Sequence, residues 1–263
     1  MLDKPIVHLV GAGPGDPELL TLKARRLLDE ADVVVYDRLV SDDIMALIPK
    51  GTARISVGKQ PNAHPVPQEE INALLVRLAR SGRKVVRLKG GDPFLFGRGS
   101  EEAQHLLDNG VAYDVVPGVT SASACATAAG FPLTHRGLAT GVRFMTGHCR
   151  GDSDLDLDWR GLADPDTTLV IYMGMAKMPH IAVRLISHGL PETTPAAAIS
   201  NGSRRSQRTV FATLGDIADV AAAARLDSPV LFVVGRVVEL AGTLASGRDH
   251  TAEARSGGDA GVG

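Results

Sequence analysis

The amino-acid sequence predicts an α/β protein made of two consecutive α/β domains, and three observations carry that expectation. From Ile6 to about Gly130, short apolar runs alternate with longer runs of helical periodicity. Such alternation specifies a largely parallel sheet covered by helices on both faces. After the stretch from Phe131 to Gly141 a second series begins, in which residues 196–200 and 208–212 stand too close together for a helix between them. The second sheet is therefore expected to be mixed. Third, two glycine-rich loops directly follow strand-like runs of the first half, where α/β proteins place their ligand chemistry. Expected boundaries are 1–135 and 136–245, with a disordered Gly/Ser-rich, aliphatic-poor tail over 246–263. Two α/β domains in sequence create a cleft between them, a common place for a small-molecule site.

The elements follow from hydrophobic periodicity. Residues 6–10 (Ile-Val-His-Leu-Val) form the first strand, and a helix starts at about Leu19. The apolar run 33–36 is a strand, followed by a helix around 42–47 and a strand over 54–57. A helix over 68–81 leads to a strand at 84–88, then a helix at 101–108, a strand at 113–116 and a helix over 119–129. The second series has strands at 143–146 and 168–172, a helix near 178–188, and the two close strands. A helix over 216–224 and a strand over 229–234 complete it.

Composition narrows the classes of function. A chain of 263 residues with 44% hydrophobic content can bury one large core or two modest ones. A formal net charge of −2 gives no bulk attraction to nucleic acid, so any anion site must be local. No apolar run approaches the ~20 residues of a membrane span, and the N-terminus lacks a signal-peptide core. Cys125 and Cys149 have no CxxC spacing, and the eight histidines show no ligand spacing, so no metal is expected. The stretch Asp152 to Asp158 begins like a calcium loop, but Leu157 stands where glycine is required and Ala163 where glutamate is. It reads as a solvated acidic loop. Cytoplasmic location is expected.

The richest segment is Gly90-Gly91-Asp92-Pro93-Phe94-Leu95-Phe96-Gly97-Arg98-Gly99-Ser100-Glu101-Glu102, between a strand and a helix. Four glycines leave the backbone bare for a ligand to approach, and a plain turn has no use for its charge pattern. The second loop, Gly11-Ala12-Gly13-Pro14-Gly15-Asp16-Pro17-Glu18, starts like a dinucleotide fingerprint. Asp16 stands where the third glycine belongs, and two prolines remove donors a pyrophosphate would use. An acidic mouth repels phosphate but can accept from hydroxyl or amino groups.

Together these loops resemble those of the uroporphyrinogen-III C-methyltransferases, within the tetrapyrrole methylase family that uses S-adenosylmethionine (SAM). Also similar, in family order, are Val35-Tyr36-Asp37-Arg38-Leu39-Val40, Val57-Gly58-Lys59 and Val116-Pro117-Gly118-Val119-Thr120-Ser121. So are Pro132-Leu133-Thr134-His135-Arg136, Thr146-Gly147-His148 and Tyr172-Met173-Gly174. The resemblance runs from about Ile6 to Val238. Departures are Ser100, where the family often has glycine, and a variant loop from Gly202 to Gln207.

The resemblance implies the tetrapyrrole methylase fold, with the SAM and substrate site in the interdomain cleft, in a stand-alone form without a preceding dehydrogenase–chelatase domain. It implies a SAM site lined by Pro14, Gly90, Gly91, Asp92, Leu95, Thr120, Ser121, Met173 and Gly202, with S-adenosyl-L-homocysteine as product. The implied acceptor, uroporphyrinogen III, carries eight carboxylates, which call for arginine clamps. Arg38, Lys59, Arg98 and Arg136 stand in matching loops, with Met173 a further substrate contact. Two methylations, on rings A and B, would give precorrin-2 through precorrin-1 for cobalamin, sirohaem or haem d1 synthesis. The attacking group is a pyrrole carbon, so the protein need supply a proton acceptor and no nucleophile. Asp37 is the matched acceptor and Lys59 the matched donor. Glu101, Arg98 and His148 remain alternatives. A homodimer is implied. Rival readings are a later corrin-ring methylase, a relative acting on diphthamide or ribosomal RNA, and a non-catalytic dinucleotide-binding module.

Overall fold

The computed structural model describes residues 6–58, 66–148 and 155–244. Lys59, Cys149, residues 152–154 of the acidic stretch and the tail 246–263 lie outside the described residues. The chain divides into two compact units, Met1–Ser121 and Ala122–Gly263.

The first unit contains β1 (Ile6–Gly11), α1 (Leu22–Glu30), β2 (Val33–Tyr36), α2 (Asp42–Ala46) and β3 (Ala53–Ser56). It continues with α3 (Gln68–Arg80), β4 (Val85–Lys89), α4 (Gly99–Asp108) and β5 (Ala112–Val116). All strand pairs are parallel, in the order β3-β2-β4-β1-β5. Side-chain alternation assigns the two faces. Val7, Leu9, Val33, Val35 and Val85 pack with Ile71 and Leu75 of α3 and Leu106 of α4. Val10, Val34, Val86 and Leu88 pack with Leu27 and Leu28 of α1 and Ile44 of α2. The connection leaving β1 crosses toward β2, whereas that leaving β4 crosses back toward β5. Adjacent β1 and β4 therefore flank the point where strand order reverses, and ligands of open α/β sheets bind at that crevice.

The first helix begins later than about Leu19. Asp16 Oδ1 accepts from Glu18 N at 2.9 Å and starts a 3-10 turn over Pro17–Leu19. Thr21 then caps α1 through Ala24 N at 3.1 Å, satisfying one of the amide donors a helix start leaves open.

The second unit takes α5 (Ser121–Ala129) from its second residue, then β6 (Gly141–Thr146), α6 (Trp159–Leu162), β7 (Thr167–Tyr172) and α7 (Met178–Ser187). β8 (Pro195–Ser200), β9 (Arg208–Thr213), α8 (Ile217–Ala223) and β10 (Val230–Val234) follow. A 3-10 turn over Arg236–Glu239 leads into a helix from residue 240. The sheet order is β6-β7-β10-β8-β9, with β6 and β7 parallel and the other pairs antiparallel. It is mixed, as residues 196–212 suggest. Helices α6, α7 and α8 cover one face through Trp159, Ile181, Leu185 and Ile217. Ala122, Cys125 and Ala126 of α5 cover the other, with Val170, Ala197 and Val233. This packing places the division after Ser121, ahead of the boundary expected at 135. Sequence reading also passed over α6, a single turn capped by Asp158 through Gly161 N at 3.0 Å, and the helical segment after Gly235.

Candidate active site

The first unit brings its glycine loops together at the ends of β1, β4 and β5. Ala12 N donates to Lys89 O at 2.7 Å, Gly13 N to Gly91 O at 3.1 Å, and Gly91 N to Gly13 O at 2.7 Å. A Cβ on Gly11 would stand 2.5 Å from Gly118 N and 2.7 Å from Gly91 O, so the three loops meet through bare backbone. Gly91 has φ +68°, and the closest atom to a Cβ there, beyond its chain neighbours and among the described residues, is Ser121 Oγ at 4.0 Å. The left-handed turn thus keeps one side of the backbone uncovered. Pro14 is buried in the β1 loop, and Thr120 and Ser121 are half-buried.

Asp92 fastens this junction. Its Oδ1 accepts from Phe94 N at 2.8 Å and its Oδ2 from Gly118 N at 3.1 Å. Leu95 N reaches Asp92 O at 3.4 Å. The carboxylate holds two loops in place and retains lone pairs for a ligand hydroxyl.

Asp37 follows β2. Its Oδ1 accepts from Leu39 N at 2.9 Å, and its Oδ2 lies 3.8 Å from Arg87 Nη2. Arg38 is exposed, and Leu39 packs so closely on Gly90 that a Cβ there would stand 2.6 Å from the Leu39 Cβ. Arg98 occupies the N-cap of α4 with φ 59°. Its Nε and Nη2 grip Glu101 Oε1 and Oε2 at 2.9 and 2.7 Å. The hydrogen bond to Glu101 is the main reason its guanidinium is held above the ordinary arginine range. Arg98 therefore keeps its proton and is suited to clamp an anion. Between Asp92 and Arg98, Phe94 and Phe96 are exposed.

The remaining expected residues belong to the second unit. Strands β6, β7 and β8 run in the same direction, so His148, Met173 and Gly202, which follow them, share one sheet edge. Gly147 N donates to Tyr172 O at 2.7 Å, and Gly147 packs on Gly174, which sets His148 beside Met173. Met173 has φ 52° and is half exposed. Tyr172 Oη accepts from Ala122 N at 3.1 Å, bringing the start of α5 to this edge. Gly202 sits against Cys125 of α5, where any Cβ would overlap the sulfur. Burial pushes the Cys125 thiol up to about 12. Arg136 is exposed in a tight loop closed by His135 N to Ala139 O at 3.2 Å.

Sequence reading missed a buried charged group beneath the first-unit loops: Arg87 and Lys89 of β4 with Glu102 of α4. Its signal was an arginine and a lysine two apart in an otherwise apolar strand.

Residues 7–218 match the family described as Tetrapyrrole (Corrin/Porphyrin) Methylases. A uroporphyrinogen-III C-methyltransferase of Paracoccus denitrificans is 58% identical over 235 residues, 89% of this chain and 82% of that protein. A siroheme synthase of Nitrosospira multiformis is 53% identical over 239 residues, 91% of this chain and 50% of that protein; the chain spans about half its length. The crystal structure of uroporphyrin-III C-methyl transferase from Thermus thermophilus complexed with S-adenyl homocysteine is 45% identical, with a TM-score of 0.76. The match covers 89% of this chain and 99% of that one.

Proposed function

Because the chain belongs to the tetrapyrrole methylase family, we propose that it transfers methyl groups from SAM to uroporphyrinogen III. In this reading it acts twice, on rings A and B, and passes through precorrin-1 to precorrin-2 for cobalamin, sirohaem or haem d1 synthesis. The observation that carries the proposal is the uncovered Gly91 backbone at the strand-order reversal, with the Ser121 hydroxyl beside it. SAM suits such a cradle: its adenosine needs backbone groups and hydroxyl partners, and among the described residues beyond its chain neighbours only the Ser121 hydroxyl comes within 4 Å of a Gly91 Cβ. When bound, SAM supplies an electrophilic methyl on a cationic sulfur.

The chain's own residues then position and move a proton. Gly90, Gly91, Thr120 and Ser121 hold the adenosyl part, while Pro14, Asp92, Leu95, Met173 and Gly202 complete the set. Correct alignment for in-line displacement supplies much of the rate. Arg38, Arg98 and Arg136 clamp carboxylates of the acceptor, Arg98 through a planar fork that Glu101 orients. Exposed Leu39, Phe94, Phe96 and Met173 offer apolar contact to a macrocycle. The methylated ring is cationic and must release a proton, which Asp37 takes, with Lys59 as donor. Glu101 and His148 are the alternatives. A homodimer in the cytoplasm belongs to the same proposal; among the described residues, no helix is long and apolar enough to cross a membrane.

Calorimetry with SAM and with NAD tests the cofactor assignment. SAM binding that is lost on changing the Gly91 turn, with no NAD binding, is expected. NAD binding without SAM binding would favour the dinucleotide module instead.

A further inference from the structure

Strand β4 is central, flanked by β2 and β1, and all five of its residues are buried. Strands covered on both faces normally read as continuous apolar runs. Here Arg87 and Lys89 are 3% and 4% exposed, on the face covered by α3 and α4. They meet Glu102 of α4, which is fully buried. One oxygen, Glu102 Oε1, accepts from Arg87 Nε at 3.0 Å, Lys89 Nζ at 3.0 Å and Gln68 Nε2 at 3.2 Å. Its other oxygen is buried with no partner among the described residues.

Two cations on one carboxylate leave a positive excess, and Arg87 directs it outward. While Nε is held by Glu102, Nη2 faces Asp37 Oδ2 at 3.8 Å. Burial, then repulsion from Arg87, holds the Lys89 ammonium below the usual lysine range, so its charge is kept at a cost. Apolar replacement of a buried ion group is often neutral or stabilising, so fold stability alone does not call for such a group. Lys89 also ends the strand whose carbonyl anchors Ala12 N. Its Cε lies 3.4 Å from where a Gly97 Cβ would be, directly under the loop that carries Arg98.

We propose that Glu102 and Lys89 are positioning residues that lock the Arg87 guanidinium so that its outer nitrogen fixes the Asp37 carboxylate at the end of β2. The inference rests on Asp37 being the proton acceptor of the proposed reaction.

The test uses Lys89→Met/Glu102→Gln, which removes one charge of each sign, with Lys89→Met alone as the milder change. Single-turnover rate at saturating acceptor, SAM affinity and unfolding midpoint are measured in the parent and in Asp37→Asn. The double variant should keep SAM affinity within about twofold and the midpoint near the parent's, yet turn over at least ~10-fold more slowly. Lys89→Met should be slower by ~3-fold or more. Groups acting as one unit are strongly non-additive, so in Asp37→Asn the same changes should cost less than ~2-fold further. A double variant, or Lys89→Met should the double not fold, turning over at the parent rate would overturn the proposal. So would a loss that adds in full to that of Asp37→Asn, leaving Asp37 itself as acceptor. Asp37→Asn at the parent rate would instead remove Asp37 from the reaction, and the positioning role with it.

Discussion

Asp92 Oδ2 accepts a hydrogen bond from Gly118 N at 3.1 Å while Oδ1 of the same side chain accepts from Phe94 N. One carboxylate thereby fastens the loop after β4 to the loop after β5, and the shape of the proposed SAM cradle depends on it. Asp92→Ala removes both bonds and should lower stability by about 1–3 kcal/mol, in the range of hydrogen bonds to a charged group. Asp92→Asn retains one acceptor and should lose less. Denaturant midpoints paired with SAM calorimetry check this. Full SAM affinity in a folded Asp92→Ala would separate the fastening from the cradle.

Gly202 and Cys125 make a steric prediction. Gly202→Ala drives a methyl group into the Cys125 sulfur, and overpacking of this kind costs about 1–3 kcal/mol. Adding Cys125→Ala opens space and should return part of the lost stability and SAM affinity. Equal losses in the single and double variants would mean that contact with the sulfur is not the cause.

Cys125 also predicts a pH dependence. Burial raises its folded value to about 12, whereas an unfolded thiol ionises near 8.5. Only the unfolded chain releases this proton between about pH 9 and 12, so rising pH favours unfolding there. The contribution falls by up to about 1.4 kcal/mol per pH unit. Lys89, held low by burial, pulls the opposite way, so the comparison must be between parent and Cys125→Ala. Their stability difference should shrink in the parent's disfavour from pH 9 to 10.5. Parallel curves would show that the thiol titrates alike in both states.

Much of the candidate site was proposed from the sequence because loops at strand ends advertise themselves through glycine, proline and charge. The stretch from Gly90 to Glu102 reads as a strand-to-helix loop, and the strand order sets that loop at the reversal. Strands were readable, to within one or two residues at their ends, because apolar runs rich in valine such as Val33–Tyr36 cannot be mistaken for turns. Legibility failed where one residue type has two uses. Arg87 fell inside the expected strand 84–88 and Lys89 just past its end, and periodicity says which face a residue takes and not which helix covers it. Asp92 read as a ligand carboxylate, while one of its two backbone bonds is made to Gly118, distant in sequence. The division at Ser121 was hidden because α5 follows β5 in an unbroken alternation, although its alanine-rich face covers the second sheet.

Acceptor binding and turnover should separate. Arg98→Lys keeps the charge but loses the planar fork that Glu101 now grips, weakening acceptor binding by about 1–3 kcal/mol. Asp37→Asn removes a proton acceptor without changing shape, and a general base is worth about 10²–10⁴ in rate. SAM affinity should stay near normal in both. Single-turnover kinetics with equilibrium binding of each ligand distinguishes the two. Parent-like turnover by Asp37→Asn would pass the role to Glu101 or His148.

The most direct measurement is anaerobic incubation of the protein with SAM and uroporphyrinogen III, followed by mass analysis of the tetrapyrrole. The account predicts a product carrying two added methyl groups, preceded in time by a singly methylated species, with stoichiometric S-adenosyl-L-homocysteine. Unchanged uroporphyrinogen III, from a protein that binds SAM and is folded, would contradict it.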